Sequence, residues 1–251
     1  MDWSFLNGTE SEWYGFRRID FRFEDRDALV VLPDGNADGR WMMKTEYFGA
    51  FPDTELALLR EGYTLAFLRN INRWGTDPDH DARARFAGFL SANAGLRKRA
   101  VLVGMSCGGL IAVNFASRYP EFVSFLYLDA PVMNLLSCPM GFGCGTSLGN
   151  GGGWKEVEEA YGFTLTDLIN YREHPMDRLD VLTDNNLPCA LVYGDSDDVV
   201  PYTENGIHAV NHYRNKGKPI FVYGKPGCGH HPHGMEDPAE LVRYIMENEL
   251  P

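Results

Sequence analysis

The chain has 251 residues, of which 44% are hydrophobic and 13% are aromatic, and its formal net charge is −12. A chain of this length and composition is able to bury one large core, which argues against global disorder. The acidic balance argues against a nucleic-acid partner and against adsorption to an anionic membrane, because both need clustered Lys and Arg.

The N-terminus and the cysteines favour a location inside the cell. Residues 1–5 show neither a basic nor an apolar leader, and no apolar run approaches the roughly 20 residues that span a bilayer. The five cysteines are scattered and odd in number, which fits reduced thiols better than a disulfide framework. We therefore expect a cytoplasmic protein; the sequence does not indicate an oligomeric state.

Strand-like and helix-like segments alternate along the chain. Short apolar runs bounded by turn residues predict strands at 15–24, 28–32, 63–68, 99–104, 123–128, 190–193 and 220–223. Amphipathic stretches with start and stop signals predict helices at 42–48, 53–60, 81–94, 107–119 and 203–215, and a last one that begins at Asp237. Such alternation predicts a mostly parallel central sheet with helices on both faces, and ligands bind such sheets beyond the carboxyl ends of the strands.

One stretch interrupts this alternation. Residues 134–188 contain two Gly-rich segments, at 141–145 and 151–153, followed by two helical patterns. We interpret residues 134–188 as a small cap inserted over the sheet, within a single domain that spans 1–251; a surface loop is the alternative. The glycines do not form a phosphate loop, because no Gly-Lys-Ser/Thr follows them.

A serine lies at a sharp turn directly after the strand at 99–104. The segment Gly104–Gly109 reads Gly-Met-Ser-Cys-Gly-Gly, which is Gly-x-Ser-x-Gly between a strand and a helix. The glycines leave room for a strained turn that raises the Ser106 hydroxyl above the sheet. There the helix dipole and the backbone N–H of Cys107 stabilise a developing oxyanion. We predict Ser106 as a nucleophile.

A serine hydroxyl needs a base that takes its proton. Three histidines follow the last predicted strand, and His230 comes first after the glycines, so we predict His230 as the base. His231 and His233 are the alternatives. The cluster could instead hold a metal, but no cysteine or carboxylate at a known ligand spacing accompanies it. We therefore predict no metal and no cofactor.

The base in turn needs an acid that orients it. Asp195, Asp197 and Asp198 follow the preceding predicted strand, and two valines after Asp198 anchor this loop in the core. We predict Asp197 as the acid, whereas Asp195 could cap the turn and Asp198 could be solvated. Asp129, at the end of another strand, is a fourth possibility.

Together these segments resemble the α/β-hydrolase superfamily over nearly the whole chain. The resemblance rests on residues 104–109, 194–201 and 227–233, and the chain order Ser, Asp, His is the order expected on that fold. Segments 45–52 and 127–132 make it look closest to small carbohydrate esterases and prolyl-oligopeptidase-like esterases.

The resemblance implies an α/β-hydrolase fold and a serine hydrolase with the triad Ser106, His230 and Asp197. It suggests a small-molecule acyl ester as substrate, with an acylated sugar as one candidate. A peptidase or thioesterase with the same triad is the alternative within enzymes. A non-catalytic ligand-binding protein that keeps this fold is the alternative from another class.

One departure from the resemblance concerns the second oxyanion donor. Such hydrolases often carry His-Gly after the third strand, whereas this chain has residues 33–41 there, without that pair. We predict the backbone N–H of Trp41 as the second donor, because Trp41 directly precedes the predicted helix at 42–48.

Four further residues are candidates for substrate binding. Arg40, next to Trp41, and His231 could line the site, while Trp74 and Trp154 could offer apolar platforms for a ring. The structural alternatives are a surface salt bridge for Arg40 and core packing for the tryptophans.

Overall fold

The computed structural model describes residues 2–35, 38–146 and 152–251. Residues 147–151 of the predicted cap, with Gly151 of its second Gly-rich segment, lie outside the described residues, as do residues 36–37 in the loop before Trp41. Within the described ranges, no helix has the length and the apolar character needed to cross a membrane.

The described strands form one sheet in the order β1-β2-β3-β5-β4-β6-β7-β8-β9. The strands are β1 (Thr9–Trp13), β2 (Phe16–Phe23), β3 (Arg26–Leu32), β4 (Trp41–Lys44), β5 (Thr64–Leu68), β6 (Ala100–Met105), β7 (Val123–Asp129), β8 (Cys189–Gly194) and β9 (Ile220–Lys225). Strands β1, β2, β3 and β5 pair antiparallel, and the pairs from β5 through β4 to β9 are parallel. The carboxyl ends of the parallel strands therefore share one edge of the sheet.

Helices cover both faces of this sheet. They are α1 (Asp53–Arg60), α2 (Asp77–Ala94), α3 (Cys107–Arg118), α4 (Gly152–Tyr161), α5 (Leu165–Asn170), α6 (Leu179–Asp184), α7 (Gly206–Asn215) and α8 (Ala239–Asn248). Apolar side chains of α2, α3, α6 and α7 form the core on one face, and those of α1 and α8 form the core on the other. Alternate residues of β6 enter the two cores, Leu102 the first and Val101 the second. The predicted α/β-hydrolase fold is confirmed.

Two strands differ from the sequence-based prediction. Residues 41–44 form β4 rather than the start of a helix; all four side chains are buried because the strand lies inside the sheet. A short apolar run of this kind cannot be assigned to strand or helix by periodicity alone. β1 was not predicted, because this edge strand is polar and largely exposed and so carries no apolar alternation.

The described part of residues 134–188 divides between two places. Val157 of α4 and Leu168 of α5 pack in an apolar cluster with Trp74 and Cys107, next to the nucleophile turn. α6, by contrast, contributes leucines to the main core beside α3. Within the described part of residues 134–188, α4 and α5 are therefore the helices that pack beside this turn, and their role as a cap stays a prediction.

Candidate active site

The turn between β6 and α3 holds Ser106 in a strained conformation, with φ 52° and ψ −121°. The neighbouring glycines are required by close approach: a Cβ on Gly104 would lie 2.6 Å from the Gly108 carbonyl oxygen, and one on Gly109 would lie 2.4 Å from the Pro131 Cβ. The Ser106 N–H donates to the carbonyl of Asp129 at 2.9 Å. The strained turn is as the motif predicts, and this hydrogen bond fixes it to the end of β7.

The three residues predicted as a triad lie in one hydrogen-bonded row. His230 Nε2 is 3.1 Å from the Ser106 hydroxyl, and His230 Nδ1 is 2.8 Å from Asp197 Oδ2. The other oxygen of Asp197 accepts the N–H groups of Val199 and Val200 at 2.9 and 2.8 Å. Because a carboxylate only accepts, Nδ1 carries the proton and Nε2 is free to receive the one on Ser106.

The competing acids have other partners. Asp195 caps its turn by accepting the Gly227 N–H at 2.7 Å, and the side chain of Asp198 is exposed. The fourth candidate, Asp129, contacts His233 rather than His230, with 3.1 Å between His233 Nδ1 and Asp129 Oδ1. Asp197 is therefore the carboxylate that reaches His230.

Asp129 and His233 form a second buried acid–imidazole pair that the sequence did not reveal as a pair. Both side chains are 2% exposed, and the other Asp129 oxygen accepts the Gly234 N–H. Burial alone would raise the pKa of Asp129, but the hydrogen bond and charge of His233 outweigh it and hold that pKa below its usual value. The pair fastens the loop that carries His230 to the end of β7.

The Trp41 prediction is wrong. Met42 lies beside Val101 in the parallel pair of β4 and β6, so Trp41 is at the amino edge of the sheet, whereas Ser106 follows the carboxyl end of β6. Trp41 is buried and its indole N–H donates to the carbonyl of Arg97 at 2.9 Å.

The Arg40 prediction fails for the same reason, because Arg40 directly precedes Trp41 at the amino edge. Its guanidinium pairs with Asp38 at 2.8 Å and lies over the ring of Tyr63. Arg40 therefore forms a salt bridge and Trp41 is a core aromatic residue, so both have structural roles.

Tyr47 is a candidate site residue that sequence reasoning missed. It follows β4 at the carboxyl edge with φ 55°, and its phenol faces the Cys107 side chain and Arg73. Burial, together with Cys107, raises the pKa of Tyr47, so the phenol stays protonated and is a donor. Its position after a strand is the signal that marks it, but the predicted helix at 42–48 conceals that strand.

The first predicted oxyanion donor, Cys107, lies at the start of a helix, and the three other substrate-binding candidates differ in exposure. Cys107 is the first residue of α3, and the first N–H groups of a helix lack an acceptor within it. Trp74 is fully buried and donates its indole N–H to Glu156 at 3.1 Å, so it packs and offers no open face. Trp154 is half-buried at the border of the apolar cluster, and His231 is exposed and stacks on Phe51.

Three solved structures that resemble the chain in fold share little sequence with it. A puromycin hydrolase is 19% identical with a TM-score of 0.67, over 92% of this chain and 37% of that one. Dipeptidyl peptidase 4 of Porphyromonas gingivalis is 14% identical with a TM-score of 0.66, over 96% and 36%. The acylaminoacyl peptidase of Pyrococcus horikoshii is 14% identical with a TM-score of 0.65, over 92% and 40%. The chain therefore spans well under half the length of these proteins.

The sequence itself identifies the family of the chain, which these structures alone do not. No curated protein sequence matches the chain significantly. The sequence model of the prolyl oligopeptidase family matches residues 61–248, which include all three residues of the hydrogen-bonded row. The resemblance to carbohydrate esterases finds no support in these comparisons. The chain belongs to the prolyl oligopeptidase family and is a serine hydrolase with the α/β-hydrolase fold.

Proposed function

We propose that the protein is a serine peptidase that cleaves peptide or similar amide bonds in small substrates, with Ser106, His230 and Asp197 as its triad. The observation that carries the proposal is the continuous row of hydrogen bonds from Asp197 through His230 to Ser106. Membership of the prolyl oligopeptidase family favours an amide over the sugar ester considered from sequence.

The geometry supports the following mechanism of acyl transfer. His230 Nε2 takes the proton of Ser106 as the Ser106 oxygen attacks the carbonyl carbon, and Asp197 stabilises the imidazolium that forms. The Cys107 N–H and the Tyr47 phenol donate to the oxyanion, and each such donor lowers the barrier by about 3–4 kcal/mol. His230 then returns the proton to the leaving amine, and water releases the acyl group by the same roles in reverse.

A cleft next to the loop after β4 offers room for a short substrate. It has a volume of about 520 Å³ and is lined by Glu46, which directly precedes Tyr47, and by Asn70 and Arg73; Ser106, Asp197 and His230 are not among its lining residues. The rest of its lining combines charged groups of both signs with aromatic rings, among them Phe48. This size is in the range of small-molecule sites, and the mixed lining suits a short peptide with polar ends.

The test compares amide and ester substrates that share one acyl group. Purified protein is assayed with aminoacyl and dipeptidyl p-nitroanilides, the matching p-nitrophenyl esters, and acetylated sugars. We expect turnover of amides that falls to background in Ser106→Ala, because loss of the nucleophile costs about a millionfold in kcat. Ser117→Ala, which removes a hydroxyl from the far end of α3, serves as the matched control.

Three results would overturn parts of the proposal. Cleavage of esters or acetylated sugars without any amide would replace the peptidase by an esterase. Unchanged turnover in Ser106→Ala would remove Ser106 as nucleophile. Failure of a fluorophosphonate probe to label Ser106 would favour the non-catalytic binding protein.

A further inference from the structure

Three imidazole rings gather at one point of the loop after β9. The ring centres of His230, His231 and His233 lie 4.8 to 5.0 Å from one another. One ring nitrogen from each lies within 4.8 Å of the other two. Three histidines without a carboxylate are a ligand set that Zn²⁺ and its neighbours in the transition series accept, with the fourth position open.

Two of the three rings are already oriented as metal ligands usually are. His230 Nδ1 is held by Asp197 at 2.8 Å, and His233 Nδ1 is held by Asp129 at 3.1 Å. In metal sites the second nitrogen of a ligating histidine donates to a carboxylate in this way, which fixes the ring and makes the first nitrogen more basic. In both residues Nε2 is thereby the nitrogen available to a cation.

The third ring is able to complete the set. Zn–N bonds of about 2.0 Å in tetrahedral geometry place ligand nitrogens about 3.3 Å apart, so the widest separation must shorten by about 1.5 Å. His231 is exposed, and its ring stacks on Phe51 with 5.5 Å between centres. Because His231 is exposed, rotation of its side chain can bring a ring nitrogen closer to the other two rings.

We propose that His230, His231 and His233 form a binding site for a divalent transition-metal ion of the Zn²⁺ type, and that the bound ion inhibits the hydrolase. The ion takes His230 Nε2, which otherwise lies 3.1 Å from the Ser106 hydroxyl, so this nitrogen can no longer accept the serine proton. The inhibition rests on the proposed role of His230 as base, whereas the binding does not. Mg²⁺ and Ca²⁺, which prefer oxygen ligands, are not expected to bind.

The first experiment measures binding and turnover separately. Chelator-treated protein is titrated with ZnCl₂ in a non-coordinating buffer by calorimetry, and the same series is assayed with an amide substrate or, failing that, an activated ester. We expect one ion per chain, a rate that falls in step with occupancy, recovery when chelator is added, and no effect of MgCl₂. Absence of stoichiometric binding, or an equal effect of MgCl₂, would overturn the proposal.

The second experiment assigns the ligands by substitution. His231→Ala should weaken Zn²⁺ binding by at least about tenfold, since even loss of an outer-shell partner costs that much. Inhibition is expressed relative to each variant's own metal-free rate. His208→Ala removes an exposed histidine of α7 and should leave the response to Zn²⁺ unchanged. A response that survives in His231→Ala but disappears in Cys228→Ser would assign the ion to a thiol and overturn the site.

Measuring binding and turnover separately distinguishes a failure of the metal site from a failure of the proposed function. Binding that His231→Ala weakens, without any loss of turnover at full occupancy, would confirm the metal site and overturn its inhibitory effect. If no substrate is turned over at all, the proposed function fails while the calorimetric arm still decides the site.

Discussion

Tyr47 lies where the loop after β4 meets the nucleophile turn, with its phenol facing Cys107. Removing the phenolic hydroxyl with Tyr47→Phe should lower kcat by about 10²–10³ and leave KM nearly unchanged, because the donor acts on the oxyanion and not on the bound substrate. Steady-state kinetics measure this, with exposed Tyr14→Phe as the control. A kcat within about twofold of wild type would mean that another group supplies the second donor.

Asp197 uses one oxygen for two backbone N–H groups and the other for His230. Asp197→Asn keeps the shape but presents an amide N–H to His230 Nδ1, which favours the wrong tautomer of the ring. We expect kcat to fall by about 10⁴ at neutral pH. Asp195→Asn, two residues earlier at the turn, is the matched control for kinetics. Equal activity of the two variants would argue that Asp197 only shapes its loop.

The three residues of the hydrogen-bonded row were predictable because each depends on a local rule: a serine between glycines after a strand, and a histidine and an aspartate after later strands. The second oxyanion donor was not. Trp41 and Tyr47 lie on opposite sides of a four-residue buried strand, and a run that short carries no period that separates strand from helix. Taking this strand for a helix therefore places the predicted donor, Trp41, at the amino edge of the sheet, away from Ser106.

At the scale of elements, Glu156 joins α4 to the loop after β5. Its carboxylate accepts two N–H groups of Arg73 at 2.6 and 2.9 Å and the indole N–H of Trp74 at 3.1 Å. The Arg73–Glu156 pair is partly exposed, with 35% and 46% of the side chains accessible, so screening limits its strength. We expect these contacts to stabilise the packing of α4 against the loop after β5 by about 1–2 kcal/mol.

Glu156→Gln should therefore open α4 more often without unfolding the sheet. We expect amide hydrogen exchange in α4 to be about five- to thirtyfold faster, with exchange in β6 and β7 unchanged. Glu159→Gln, an exposed glutamate on the same helix, is the control. Exchange in α4 that matches the control would show that apolar packing alone holds this helix.

At the scale of the whole molecule, pH acts on stability through His80, which is buried in α2. Its Nδ1 has no hydrogen-bond partner among the described residues. Burial, followed by the charge of Arg83, lowers the pKa of His80 from 6.5 to about 4. Between these values the unfolded chain binds a proton that the folded chain does not, so stability falls as the pH drops from 6.5 towards 4.

This linkage predicts a specific loss of stability in mild acid. From pH 7 to pH 5 the contribution of His80 to the free energy of unfolding should fall by about 2 kcal/mol. His80→Gln should lose that much less over the same interval in urea denaturation, while His208→Gln, at an exposed position, should behave as wild type. An identical loss in wild type and His80→Gln would contradict the assignment.

The whole fold was predictable in its parallel half and not in its antiparallel half. Buried runs such as that of β6 alternate with helices, and parallel pairing follows from that rhythm. The antiparallel pairing of β1, β2 and β3 depends on contacts between strands and involves a polar edge strand. Neither feature produces a hydrophobic periodicity in the sequence from which the pairing could be predicted.

Two hydrogen bonds of Asp129 bear on how constant the distance between Ser106 and His230 stays. Ser106 follows β6 and His230 lies in the loop after β9. Independent motions of these two strands would therefore increase the fluctuation of the distance between Ser106 and His230. Yet the Asp129 carbonyl holds the Ser106 N–H at 2.9 Å, and its carboxylate holds His233, three residues beyond His230. Ser106 and His230 thus share one anchor, so we expect a displacement of that anchor to carry both in the same direction and to change the 3.1 Å distance between them little.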